Sequence, residues 1–303
     1  MKHADSFSSF HPLVNFLYFA LVLLFSMCLM NPLCLAISLG AAIAYQLDLT
    51  GARAVRRTLR YLLPLILLTA LINPALNHEG GTILLYLPTG NPLTLESIAY
   101  GLAAACLLAA VLIWFHCYTA VMTSDKFLYL FGRLIPALSL VLSMALRFVP
   151  KFKAQLKLVS DAQRCIGRSV SDGRILHRVQ AAITTVSILI TWSLENAIET
   201  ADSMKSRGYG LPGRTAFSIY RFGHRDRAAL AWLLFSGVYV LSGWLAGGFD
   251  WRYFPTLKGP RPTALSLSFF LVYLLLCLTP LFINRREARL WRERNEKGAP
   301  YHV

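Results

Sequence analysis

The chain is poor in charge and lacks the motifs by which soluble enzymes are usually recognised. Only 15% of its 303 residues are charged, against about a quarter in soluble domains, and only 15 residues are acidic. None of its six cysteines belongs to a Cys-x-x-Cys pair, so the sequence gives no zinc or disulfide signal. It also contains no Gly-x-x-x-x-Gly-Lys-Ser/Thr loop, which excludes a chain that is its own ATPase.

The chain is instead rich in long hydrophobic runs. Hydrophobic residues make up 56% of the chain, and many lie in runs that approach the roughly 20 residues a helix needs to cross a bilayer. The first run ends in Asn31-Pro32 and not in a small-residue cleavage site, so we interpret it as a retained span. The predicted spans are Leu13–Met30, Leu33–Leu47, Tyr61–Leu76, Ile98–Met122, Ala228–Ala246 and Ala264–Ile283.

Basic residues set the predicted topology. The chain has 30 Lys and Arg and a net charge of +15, and in membrane proteins such residues accumulate in cytoplasmic loops, near anionic lipid. We prefer this interpretation to nucleic-acid binding. The segment 77–96 has no Lys or Arg and is predicted to lie outside. A long basic stretch is predicted to lie inside, and it contains Lys151, Lys153, Lys157, Arg164, Arg168, Arg174 and Arg178.

Two further apolar runs are ambiguous. If Phe127–Val149 or Val179–Trp192 crossed the membrane alone, basic loops would face outward, so both are predicted to lie along the interface or against the bundle. The fold class is therefore an all-α polytopic membrane protein, with about six transmembrane helices, long amphipathic cytoplasmic helices and both termini cytoplasmic. The predicted domains are transmembrane helices at 1–125, a cytoplasmic or interfacial domain at 126–227, and a transmembrane hairpin with a basic tail at 228–303.

Two amphipathic helices in the middle domain each end in an arginine near a glycine. In the second, Glu195, Glu199 and Asp202 recur at helical spacing and share one face. Its end, Ser206-Arg207-Gly208, is explained by capping alone, since Arg suits the negative end of the helix dipole and Gly the left-handed cap. The first helix ends similarly at 164–168, and this duplication favours docking into grooves of a soluble partner with acidic groups.

At these stretches the sequence resembles the transmembrane T component of energy-coupling factor (ECF) transporters, the EcfT/CbiQ-like family of prokaryotic importers of vitamins and transition-metal ions. The resemblance extends from near the N-terminus to about Gly210. Weaker similarities are His11-Pro12-Leu13 and Ile72-Asn73-Pro74 with Gly80-Gly81. The main similarities to the family are Leu146-Arg147-Phe148-Val149-Pro150, Ala162-Gln163-Arg164, and the segment from Ser193 to Gly210 with its Ser206-Arg207-Gly208 motif.

The resemblance implies a non-catalytic, energy-coupling subunit of an ABC-type importer in the prokaryotic cell membrane. Two cytoplasmic ABC ATPases would bind ATP, and the coupling helices would pass their motion to a separate small substrate-binding (S) subunit in the membrane. No cofactor, metal or nucleic acid is implied for this chain itself. Its partners would be those subunits and the lipid bilayer.

The resemblance also implies which residues meet the ATPases. Arg207, with Ser206 and Gly208, matches the family's second motif. In the first motif Ile166 stands where the family has arginine, so Arg164 or Arg168, beside Gly167, would have to substitute. These two arginines are four residues apart and are expected to share a helix face. Supporting roles in the coupling helices fall to Arg147, Pro150, Glu195, Glu199 and Met204.

Two alternative functions remain open. A secondary transporter that carries its own substrate would need charged or broken spans at mid-membrane, and the predicted spans contain few ionisable residues. A membrane-embedded enzyme would need paired carboxylates or a histidine cluster, and no histidine lies at helical spacing from Glu195 or Glu199. Its candidate residues are His116, Asp125, His177, Glu195, Glu199 and Asp202. Nothing in the chain distinguishes vitamins from metal ions.

Overall fold

A computed structural model describes residues 5–77, 79–86, 92–132, 136–168, 175–212, 220–259 and 263–296. Arg174 and parts of the predicted outer loop lie outside these ranges. The chain divides into two compact units, the first formed by Met1–Lys126 with Tyr220–Val303 and the second by Phe127–Ile219.

The described chain is built almost entirely of helices. A short 3₁₀ helix, Phe7–Ser9, precedes α1, and a small antiparallel hairpin of β1 (Ile83–Tyr86) and β2 (Pro92–Thr94) precedes α4. The helices are α1 (Pro12–Cys28), α2 (Pro32–Thr50), α3 (Ala52–Leu76), α4 (Leu95–Val121), α5 (Ser124–Gly132), α6 (Pro136–Cys165), α7 (Ile175–Ser206), α8 (His224–Leu245) and α9 (Ala264–Glu296).

Local sequence signals set several of the helix ends. Proline follows the N-cap residue in α1 and α2, where its missing N–H costs nothing. The cap side chains satisfy a free backbone donor: the backbone N–H of Leu33 donates to Asn31 Oδ1 at 3.0 Å. Gly51 ends α2 with a φ of 82°, a left-handed conformation that glycine adopts without strain.

Six of the described helices are long and apolar enough to cross a membrane, which confirms an all-α multi-pass protein. The set differs from the predicted spans in two members. The apolar helix α1 has only 17 residues, and α7 qualifies by length and composition although its apolar part, Val179–Trp192, was predicted to lie at the interface. The six are Pro32–Thr50, Ala52–Leu76, Leu95–Val121, Ile175–Ser206, His224–Leu245 and Ala264–Trp291. The interfacial placement of α7 stays a prediction.

The first unit packs around a cluster of aromatic side chains from α1, α2 and α4. Tyr18, Phe19, Tyr45 and Trp114 are fully or almost fully buried, and most of their rings meet edge to face. The indole Nε1 of Trp114 donates to Ser38 Oγ at 3.0 Å, so its polar atom is satisfied inside the core.

Helices α3 and α4 approach closely at Gly101. A Cβ atom at this position would lie 2.6 Å from the backbone oxygen of Ala70. Small residues at such contacts let helix backbones come together within a membrane. The α3–α4 pairing therefore depends on the missing side chain.

The residues Asp5–His11, here called the N-terminal segment, bind several helices of the first unit. Asp5 accepts hydrogen bonds from Asn284 Nδ2 at 2.7 Å and from Tyr45 OH at 3.1 Å. The ammonium of Lys126, the last residue before the second unit, donates to Ser8 O at 2.5 Å. Burial raises the pKa of Asp5 and lowers the pKa of Lys126.

The same segment also holds the chain where it re-enters the first unit. The backbone N–H of His11 donates to Asp226 Oδ1 at 3.0 Å, and the His11 ring meets Phe222 edge to face. Arg225 donates to Ser9 Oγ at 3.0 Å and lies over the Phe10 ring. The last residue before the second unit, Lys126, and the first residues after it, Arg225 among them, thus form hydrogen bonds with the N-terminal segment.

Candidate functional site

The C-terminus of α6 closes in a Schellman motif. Gly167 has a φ of 78°, and its N–H donates to Arg164 O at 3.0 Å. The next N–H, of Arg168, reaches back to Gln163 O at 2.9 Å. These two bonds satisfy carbonyls that the helix leaves free, and the left-handed residue reverses the chain.

The C-terminus of α7 repeats the same motif. Gly208 has a φ of 79°, its N–H donates to Lys205 O at 3.0 Å, and the N–H of Tyr209 donates to Met204 O at 3.0 Å. A Cβ on Gly208 would lie 3.1 Å from Leu211 Cδ1, whereas one on Gly167 would meet nothing within 4 Å. The two helices therefore present their last residues in matching backbone geometry.

The matching geometry pairs Ile166 with Arg207. Each is the residue directly before the left-handed glycine, and each side chain is exposed, that of Ile166 by 71%. The first helix end thus presents an apolar side chain where the second presents a guanidinium. The remaining motif residue, Ser206, is exposed and donates to Ser203 O at 2.9 Å.

The expectation that Arg164 and Arg168 share a helix face is wrong. The helix ends at Cys165, and the left-handed Gly167 turns the chain before Arg168, so the i, i+4 relation does not apply. Arg164 remains on the last turn of α6 and is exposed. Arg168 instead lines a cavity of about 490 Å³ over the first half of α7, together with His177, Gln180, Ala181, Ile183 and Thr184.

Helices α6 and α7 pack against each other around Phe152 and Trp192. Their rings meet edge to face with centroids 5.6 Å apart. Phe152 lies 13 residues before Cys165 and Trp192 lies 14 residues before Ser206, so each helix continues about 20 Å beyond this contact. The two glycine-capped ends are therefore arms of nearly equal length.

The predicted supporting residues are distributed along α6 and α7, and only Met204 takes part in a cap. Arg147 and Pro150 are exposed on α6, on the far side of Phe152 from the cap. Pro150 lies inside the helix, where it removes one backbone hydrogen bond. Glu195 and Glu199 are exposed on α7 and form no ion pair in the part of the chain that the structure describes. Met204 is half-buried, and its carbonyl accepts the cap bond from Tyr209.

Both faces of the last half of α7 are open. The apolar side chains of Leu194 and Ile198 are exposed, as are the acidic side chains on the opposite face. Sequence reasoning missed the Phe152–Trp192 contact. The signal for it was the spacing of four and then seven residues between the packed positions Ala181, Thr185 and Trp192, which marks the inner face of α7.

The candidate residues for an enzyme are dispersed. His116 lies on α4, Asp125 on α5 and His177 on α7. Across the described ranges, no group of three or more His, Cys, Asp or Glu side chains is arranged to hold a metal ion. The arrangement that the structure does assemble is the pair of capped arms.

Comparison with known proteins gives one matching family model and several similar proteins. The model, described as CbiQ, cobalt transport protein, matches residues 7–217 and so includes both capped arms. The similar proteins are each called energy-coupling factor transporter transmembrane protein EcfT. Identity is 36% over 112 residues with that of Lacticaseibacillus paracasei, which is 37% of this chain and 40% of the relative.

Two further relatives give similar values. The protein of Lactobacillus helveticus is 35% identical over 101 residues, covering 33% of this chain and 36% of the relative. That of Bacillus selenitireducens is 34% identical over 112 residues, covering 37% and 42%. The matched part thus spans well under half the length of each of these relatives.

Proposed function

Because this chain belongs to the CbiQ family of cobalt transport proteins, we propose that it is the transmembrane energy-coupling subunit of an ATP-driven importer of the ECF type. The names of its relatives support a membrane component of such a transporter. In this proposal two cytoplasmic ABC ATPases bind the ATP, and a separate small S subunit in the membrane binds a vitamin or a transition-metal ion. The chain itself needs no cofactor and performs no catalysis.

The observation that carries the proposal is the pair of capped arms. Two helices end in the same motif, at nearly equal distances from one shared contact, and both ends carry an exposed guanidinium, Arg164 on α6 and Arg207 on α7. A symmetric pair of ATPases offers two equivalent grooves, and two equivalent helix ends suit them. A guanidinium is the side chain best suited to bidentate contact with carboxylates in such a groove.

The arms can transmit motion because their ends are rigid. In each cap, two backbone hydrogen bonds fix the last turn, so a displacement of Arg207 moves the helix and not only its side chain. Movement would pass along about 20 Å of α7 to the contact between Trp192 and Phe152. From there the membrane bundle would act on the S subunit.

At the first arm, Arg164 is the better candidate for the missing arginine. Both side chains are exposed, but Arg164 lies on the last turn of α6, whereas Arg168 follows the left-handed Gly167 and lines the cavity over α7. Ile166 would add an apolar contact at the position that Arg207 occupies in the second arm. We propose Gly167 and Gly208 as the caps, with Arg147, Pro150, Glu195, Glu199 and Met204 supporting the arms. The proposed location is the prokaryotic cell membrane, with both termini and the arms cytoplasmic.

The proposal is tested by a charge reversal at the second arm. Arg207→Glu, in the complex co-purified with its ATPases, is expected to lower ATP-dependent uptake into proteoliposomes at least about tenfold, because a desolvated charge pair becomes a repulsion. Lys205→Glu is the matched control, since it makes the same charge change on an exposed residue of the same turn. Equal uptake by wild type and Arg207→Glu, or uptake that needs no ATPase, would refute the coupling role.

A further inference from the structure

The first two and a half turns of α3 carry four arginines and no acidic residue. They are spaced at i, i+3, i+4 and i+7, which places them on one helix face. All four side chains are exposed, and within the described residues none has a hydrogen-bonding or ion-pair partner. We call this set the arginine stripe, and it consists of Arg53, Arg56, Arg57 and Arg60.

The stripe is unfavourable for the helix by itself. Positive charges oppose the dipole at a helix N-terminus, and like charges four residues apart repel each other. Arg53 with Arg57, and Arg56 with Arg60, are two such pairs. A bound anion would relieve both effects.

The opposite face of the same turns is fixed to the rest of the first unit. Val55 is buried, and Gln46 Nε2 on α2 donates to Thr58 Oγ1 at 3.0 Å. The direction in which the stripe points is therefore set by packing.

Further along α3, the same face becomes apolar. Leu63, Leu67 and Leu71 continue the helical spacing from Arg60 and are exposed by 61%, 59% and 59%. They belong to the candidate membrane span Ala52–Leu76, in which only Val55 and Pro74 are buried inside the chain. One face thus passes directly from guanidinium groups to aliphatic side chains.

This order matches the layers of a bilayer leaflet. The stripe extends about 10 Å along the axis, from Arg53 to Arg60, which covers the roughly 5–8 Å of one headgroup layer and reaches slightly beyond it. The leucines then lie at hydrocarbon depth. A soluble protein docked on the stripe would not account for the apolar continuation of the face.

We propose that the arginine stripe binds the phosphate groups of anionic phospholipids in the cytoplasmic leaflet. Guanidinium groups donate paired N–H bonds to phosphate oxygens, and no carboxylate lies in these turns to compete for them. The site depends on α3 spanning the membrane and not on the coupling role, so it can fail or hold independently of the proposed function.

The test measures binding of phosphatidylglycerol to the purified full-length protein in detergent, by native mass spectrometry, with phosphatidylcholine as the zwitterionic reference. Each lost arginine is expected to weaken binding about fivefold, so Arg53→Gln, Arg57→Gln and Arg60→Gln together should weaken it roughly 100-fold. The matched control neutralises three exposed arginines of α9, namely Arg285, Arg286 and Arg289. If the triple variant does not purify, the single Arg57→Gln variant carries the prediction, at about fivefold.

Three results would overturn the inference. The first is unchanged phosphatidylglycerol binding by the stripe variant. The second is an equal loss in the α9 control, which would indicate a response to overall charge. The third is a stripe variant that keeps its lipid but loses its co-purifying protein subunits, which would assign the stripe to a protein. Inorganic phosphate at the same concentration is expected not to displace the lipid, because it lacks the acyl chains that lie along the leucines.

Discussion

Replacing Gly208 with alanine should loosen the end of α7 by a predictable amount. Its φ of 79° lies in the left-handed region, where a residue with a Cβ costs about 1–2 kcal/mol. The new Cβ would lie 3.1 Å from Leu211 Cδ1, the end of a flexible side chain that can move aside. An energy of this size corresponds to a factor of about 5–30 in the equilibrium between closed and open caps.

Amide hydrogen exchange measures this equilibrium at the cap itself. In Gly208→Ala, exchange across residues 203–211 should quicken about 5–30-fold, because the two bonds from Gly208 and Tyr209 open more often. Gly167→Ala should act in the same way on residues 163–168 and leave the end of α7 unchanged, since Gly167 has a φ of 78°. Gly40→Ala is the neutral control, because this helix-interior position has open space around it.

Uptake assays connect the cap to the proposed function. Gly208→Ala should reduce ATP-dependent uptake more than Gly167→Ala, because Gly208 directs an arginine and Gly167 an isoleucine. Unchanged exchange at residues 203–211 would refute the cap assignment. Faster exchange with undiminished uptake would show instead that the direction of Arg207 has no part in coupling.

Two further predictions concern the first unit. Gly101→Ala should destabilise the α3–α4 contact by about 1–3 kcal/mol, because its Cβ would lie 2.6 Å from the backbone of Ala70; a melting temperature in detergent equal to that of wild type would contradict this. Lys126→Met tests the buried ammonium, whose pKa lies below the ordinary 10.5. Since the unfolded chain binds this proton more tightly, the stability of wild type relative to Lys126→Met should rise with pH between the lowered pKa and 10.5. Melting temperatures of both proteins across this range measure the difference, and a flat or falling difference would oppose the assignment.

The features that sequence predicted are those with local causes. The predicted break between the first two spans, at Asn31-Pro32, is where α2 begins, because the Asn side chain caps the helix and Pro fits its first turn. The caps at Gly167 and Gly208 follow from the conformational freedom of glycine. The hydrophobic runs likewise predicted an all-α membrane protein, because each helix must satisfy its own backbone in lipid.

The features that sequence missed depend on geometry beyond the local pattern. The expected pairing of Arg164 with Arg168 assumed a continuous helix, and the left-handed Gly167 interrupts it. The run Phe127–Val149 reads as one apolar stretch, yet α5 ends at Gly132 and α6 begins at Pro136 and continues to Cys165. No periodicity predicted that Asp5 would meet Asn284, since 279 residues separate them.

That separation constrains how the protein can be made. The ribosome synthesises Asp5 long before Asn284, so the half-buried carboxylate of Asp5 can accept a hydrogen bond from that amide only after α9 has been made. A chain inserted as far as α8 already contains Tyr45 and Asp226, which bond to this segment, but it lacks the Asn284 amide that donates to Asp5. Chains truncated before Asn284 therefore lack one of the contacts that hold this segment, and we expect proteases to cleave it faster in them than in the full chain.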